Sequence, residues 1–163
     1  MRFLNEPILF WFAVCASIQA VSILIDEFYF HHERGLPKWE RIGHPIDTLS
    51  VILVFMGFNF LPASEPTPIW FFGLMIFSSF LITKDEWVHH DLCRAPEQWL
   101  HSVLFLIHPL VFLFGWMSWK ESGPSFLHKV QLLALIVFCV YQVIYWSFIP
   151  LNGGELKDGQ RNG

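Results

Sequence analysis

Five long runs of this chain carry no Asp, Glu, Lys or Arg: residues 8–25, 48–64, 66–83, 102–119 and 130–154. Each is close to the roughly 20 residues with which a helix crosses the hydrocarbon core of a bilayer. Hydrocarbon offers a backbone amide no water to bond, so such a run must close its own hydrogen bonds as a helix. The rest of the composition agrees, since 54% hydrophobic and 18% aromatic content over 163 residues exceeds what a water-soluble domain carries. The expected fold is therefore an all-α integral-membrane domain over residues 1–151 with five transmembrane helices, at about 6–32, 37–61, 68–90, 96–119 and 126–149. The Gly-rich polar residues 152–163 are expected to be a disordered tail.

Breakers set these boundaries. Pro7 suits a first helical turn; Gly35 and Pro37 separate the first two helices; Pro62, Pro66 and Pro68 mark a return loop; Gly123 and Pro124 precede the fifth helix. The first run passes straight into Asp26 and Glu27 and has only Arg2 ahead of it, offset by Glu6. It is therefore expected to be a retained helix and not a cleaved signal.

The polar residues are gathered as tightly as the apolar ones. Seven of the eight histidines and nine of the fourteen acids lie in two windows, 26–47 and 85–108. Both windows open on an acidic pair, reach a double histidine, cross a charged turn with proline, and offer Glu-x-x-x-His at Glu40/His44 and Glu97/His101. Helical residues four apart share a face, so Glu27/His31, Glu40/His44, Asp85/His89 and Glu97/His101 each bring one carboxylate and one imidazole inward from a different helix. Helices one and three arrive at this membrane side and helices two and four leave it. The first four thus form a pseudo-twofold four-helix bundle of two parallel-repeated hairpins, and the fifth has no counterpart.

Acids and imidazoles facing one another at one depth beside hydrocarbon are compensated most simply by bound cations. The expected ligands are Glu27, His31, His32, Glu40, His44, Asp85, His89, His90, Glu97 and His101, with Asp26, Asp47, Glu86, His108 and Tyr145 as further ligands or outer hydrogen-bonding partners. Tyr141 and Gln142 approach the same end of the fifth helix and could donate to the cluster or be plain interface residues. The plan resembles the ferritin-like di-iron carboxylate arrangement, in which four helices point Glu and Glu-x-x-His ligands inward. Here the usual interval is Glu-x-x-x-His, with Glu86/His89 the exception. Membrane fatty-acid hydroxylases and desaturases are similar in being histidine-rich di-iron proteins, though their His-x-x-His-His boxes are absent. The resemblance implies two metal ions. Carboxylate and imidazole without thiolate favour iron, with zinc or manganese as alternatives.

With iron, the expected function is oxidoreductase chemistry on an apolar substrate such as a lipid or quinone, served by an electron donor. The same residues could instead handle or transport metal ions, form a zinc-dependent lipid hydrolase with Glu40 or Glu97 as base, or ligate a b-type haem. A structural account also exists at each point: Glu40 and Glu97 suit the first turn of a helix, and Arg34, Lys38, Arg41, Arg94 and Glu33 suit a solvated rim. Three cysteines make no disulfide framework; Cys15 and Cys139 read as packing residues, and Cys93 as a loop thiol or a soft ligand. No basic tract suggests nucleic acid.

Arg34, Lys38, Arg41, Lys84, Arg94, Lys157 and Arg161 fall on the side of the windows, against Arg2, Lys120 and Lys129 opposite. That side is expected to be cytoplasmic, in an inner membrane, with the N-terminus outside and the C-terminus inside. Trp39, Trp87, Trp99, Trp116, Trp119 and Trp146 sit near span ends, as an aromatic belt would. His31→Ala or His89→Ala is expected to cut the metal content of the purified chain to half or less, and His128→Ala, on the other side, to leave it unchanged. Elemental analysis giving equal contents in all three would exclude these windows as the site.

Overall fold

The computed structural model describes residues 7–84 and 93–148, and every element among them is helical. Helix α1, Pro7–Ile25, widens at the first acids into a π-helical stretch, Asp26–His31, and finishes with one α-helical turn, His32–Arg34. Gly35 ends it at φ +76°, where a side chain is strained. There follow α2, Lys38–Phe60; α3, Ile69–Leu81; α4, Ala95–Ser122; and α5, Phe126–Phe148.

Among the described residues four segments are long and apolar enough to cross a membrane: Pro7–His31, Trp39–Phe60, Ala95–Ser122 and Phe126–Phe148. The third helix differs from expectation. Its 13 residues rise only about 20 Å against a hydrocarbon core of about 30 Å. After Leu81 the backbone tightens into turns, where the Thr83 hydroxyl donates to Phe80 O and Lys84 N–H donates to Leu81 O. Hydroxyls competing for backbone carbonyls favour such an ending. The expected continuation to residue 90 lies outside the described residues, as does the polar tail.

Large apolar side chains cover the outside: Ile69 is 85% exposed, Phe148 79% and Phe60 74%. Asp26, Glu27, Glu40, Glu97, four histidines and two glutamines are buried instead. This distribution is the reverse of a water-soluble domain and fits a lipid environment.

Helix α1 lies chiefly along α4, and α2 along α5 and then α3. Ring contacts define one end of the bundle. The buried rings of Phe12, Phe55, Phe58, Phe71 and Trp119 pack there, with Phe58 edge-on to Phe55 at 5.5 Å and to Phe71 at 5.3 Å. Trp119, fully buried against Phe58 and Phe71, thus belongs to the core and not to an interfacial belt.

His128 is also in this end, fully buried with its ring 4.8 Å from that of Phe12. Its Nδ1 accepts from the Ser125 N–H (3.1 Å) and hydroxyl (2.8 Å), so its Nε2 carries the proton and donates to Gly115 O at 3.0 Å. It caps the start of α5 far from the acids.

Gly57 lets α2 and α3 approach: a Cβ there would overlap the Phe71 ring, itself held by Phe58 and Trp119. Gly73 has nothing within 4 Å of a Cβ. Gly57→Ala should cost about 1–3 kcal/mol, and Gly73→Ala should gain up to about 1 kcal/mol. Thermal unfolding of both in one detergent checks this, and equal midpoints would contradict the packing described.

Candidate metal centre

In a regular helix Asp26 and His31 would point about 140° apart. The π-helical stretch closes its hydrogen bonds from i to i+5 and so draws Asp26, Glu27 and His31 onto one inward side. All three are buried, at 6%, 2% and 1% exposure. His31 Nε2 lies 3.3 Å from Asp26 Oδ2, and His31 Nδ1 lies 3.6 Å from Glu27 Oε2.

Helix α4 contributes His101, whose Nε2 is 3.1 Å from Asp26 Oδ1, and Glu97 one turn earlier. One ligand atom each from Asp26, His31, Glu97 and His101 lies within 4.8 Å of all the others, and all four residues are buried. A second group on the same criterion joins His31 to Glu40 and His44 of α2. The His31 and His44 rings meet edge-on at 4.7 Å. Neither ring nitrogen of His31 makes a hydrogen bond. A buried set of carboxylates and imidazoles in this geometry can hold a metal ion.

Glu27 belongs to neither group. Trp146 Nε1 donates to its Oε1 at 2.6 Å and Gln142 Nε2 to its Oε2 at 3.4 Å, while the Thr48 hydroxyl donates to Gln142 Oε1 at 2.8 Å. Trp146 is 4% exposed, so it is a buried donor to the cluster and not a belt residue. Arg41 fixes it further, donating to Trp146 O at 3.0 Å with its guanidinium 5.7 Å from the ring.

His32 faces away from both groups. Its Nε2 is 3.2 Å from the Tyr141 hydroxyl and its Nδ1 3.2 Å from that of Tyr145, whose ring stacks on it at 4.7 Å. The 100° turn per residue that brings His31 inward sends His32 to α5. Tyr145 therefore serves His32. Asp47 pairs with Lys84 at 2.5 Å, and Cys93 lies in neither group. The expected ligands Asp85, His89 and His90, with Glu86, lie outside the described residues.

His108 sits deeper. Gln19 Nε2 is 2.6 Å from its Nδ1, Ser78 Oγ is 3.4 Å from its Nε2, Ser78 and Ser50 hydroxyls are 2.7 Å apart, and Ser50 donates to Asp47 O at 2.7 Å. One polarity satisfies every link: amide to imidazole, imidazole to Ser78, Ser78 to Ser50, Ser50 to carbonyl. A cavity of about 110 Å³ lies between this chain and the cluster, lined among others by Asp26, Glu27, His101, His108 and Phe105.

His31, Glu40, His44, Glu97 and His101, which share a four-residue spacing, fall in the two groups. Asp26, expected as an outer partner on regular helical turns, joins the first group where Glu27 does not, and Trp146, expected in a belt, is buried, because a tryptophan near a span end looks the same in a belt as in a core. Thr48 carried no signal beyond being polar within an apolar run. Comparison with protein-family models, with curated proteins and with solved structures finds no match.

Trp146→Phe keeps the packing but removes the donor to a buried carboxylate, so it should destabilise the chain by about 1–3 kcal/mol. Tyr145→Phe, which loses only a hydroxyl at an exposed histidine, should change stability by no more than about 0.5 kcal/mol. Thermal unfolding that ranked the two the other way would remove Trp146 from the cluster's support.

Proposed function

We propose that this chain is an integral-membrane protein built around a dimetal centre, with iron the favoured ion, and that it works as an oxidoreductase on an apolar substrate such as a lipid or quinone. The observation that carries the reading is the convergence of buried Asp26, His31, Glu97 and His101 within 4.8 Å. Charge supports bound cations: among the described residues Asp26, Glu27, Glu40 and Glu97 place four carboxylates inside, which divalent ions would compensate. Mixed carboxylate and imidazole donors without thiolate suit iron, then manganese or zinc. Bound iron would supply one-electron and oxygen chemistry. The chain's own residues hold and orient the ions, and the aromatic end seals them from the far side.

The carboxylates that crowd these histidines would be poor neighbours for a porphyrin, and the cavity of about 110 Å³ beside them reaches Phe105. An apolar groove of about 520 Å³ runs between α3 and α4, and Phe105 lines both spaces. An extended hydrocarbon in that groove would reach the cavity at Phe105. For ion transport, the polar chain through His108 would have to continue, yet the His108 ring meets Phe112 at 4.5 Å and the buried aromatic layer follows.

The proposed topology has five spans with the cluster on the cytoplasmic side, the N-terminus outside and the C-terminus inside, where an electron donor would dock. The contacts of α1 with α4 and of α3 with α2 exchange under the axis relating the two hairpins, which supports the pseudo-twofold bundle.

Elemental analysis and an absorption spectrum of the purified chain test the proposal. Two iron ions per chain without a Soret band are expected. Two zinc ions would favour the lipid hydrolase with Glu40 or Glu97 as base, a Soret band a haem protein, and no bound metal would end the reading.

A further inference from the structure

We infer that His31 is a one-sided ligand, with Nε2 facing the cation and Nδ1 holding the ring proton toward Glu27, so that Glu27 is a positioning residue held in place by the fifth helix. This rests on the metal reading above and assigns a role to a carboxylate that the two ligand groups leave out.

A neutral imidazole has one donor and one acceptor nitrogen. Both nitrogens of His31 lack a hydrogen bond although the residue is 1% exposed, so the ring is aimed at partners it does not yet engage. Nε2 looks toward Asp26, which also faces His101, and Nδ1 looks toward Glu27 Oε2 at 3.6 Å. A movement of about half an ångström makes the second contact a hydrogen bond. A ligating histidine ordinarily donates its other N–H to such a carboxylate, which fixes the tautomer and raises the basicity of the ring.

Glu27 is prepared for that part and not for ligation. Trp146 and Gln142 already donate one bond to each of its oxygens. The Thr48 hydroxyl on Gln142 Oε1 sets the amide so that its NH₂ faces Glu27. Glu97 and His101 have the same four-residue spacing, yet both join the ligand group. Helix α5, which packs along α2, reaches Glu27 through Trp146 and Gln142.

The test is titration of the metal-free full chain in detergent with cobalt(II), followed by proton magnetic resonance and binding isotherms. In the wild type, a hyperfine-shifted signal that disappears in D₂O and is missing in His31→Ala is expected for the His31 Nδ1–H. Glu27→Gln should weaken the tighter cobalt about 10–100-fold with unchanged stoichiometry. Its His31 signal should exchange faster with solvent. Trp146→Phe should move both readings the same way by less, which keeps the test alive should Glu27→Gln fold poorly. Loss of a whole equivalent of cobalt in Glu27→Gln would make Glu27 a ligand. A wild type that binds cobalt without any exchangeable His31 signal would mean that Nδ1 is itself metal-bound; either result overturns the inference and spares the metal centre. A wild type that binds no cobalt overturns both.

Discussion

The carboxylates of Asp26, Glu27, Glu40 and Glu97, buried inside a lipid-facing bundle, are the constraint to which the rest of the described structure answers. Moving an ion out of water costs several kcal/mol even after relaxation. The chain meets that cost differently with depth. At the exposed rim Glu33 pairs with Arg94 at 2.9 Å, and the partly buried Asp47 pairs with Lys84 at 2.5 Å. Further in, Asp26 faces two imidazoles and Glu27 an indole and an amide. Imidazole can be neutral and can bind a cation, which guanidinium cannot. The change of partner from arginine and lysine to histidine is what makes the inner cluster a candidate for metal.

The helices were legible because their signals are local. Apolar runs, proline and glycine punctuation and four-residue spacing act within a single helix, and Glu40/His44 and Glu97/His101 share inward faces as that spacing requires. What escaped depends on neighbours. The π-helical stretch at Asp26–His31 is bought by the burial of two adjacent acids, and nothing in DEFYFH marks it before α4 is in place. Trp119 and Trp146 sit where belt tryptophans sit, and only the packing of α4 and α5 turns them inward. His32 follows His31 in the chain, yet one helical step separates an inner cluster from a tyrosine pair.

The polar groups below the cluster show how narrowly the interior is balanced. Gln19, His108, Ser78 and Ser50 come from four different helices, and their hydrogen bonds run in one direction to a backbone carbonyl. A chain that ends on a carbonyl has no acceptor to which a proton can be passed on. It ties α1, α4, α3 and α2 together at mid-depth. Pro45 and Pro109, each just after a histidine, remove one backbone donor within α2 and α4 and so loosen both helices beside this layer.

A purely structural network would use those same devices to satisfy the acids, and the way satisfaction is distributed argues against that account. Gln142, Thr48, Gln19, Ser50 and Ser78 all find partners at ordinary distances. Ser118 and Trp119 leave one polar atom each without a bond at the far end, whereas His31 leaves two at the junction of both ligand groups. An unmade bond at a buried polar atom costs about 1–3 kcal/mol, and a residue placed for stability alone would have been cheaper as leucine or phenylalanine. An imidazole kept at that position, with acids on both sides and α5 restraining one of them, makes sense when a cation completes the set.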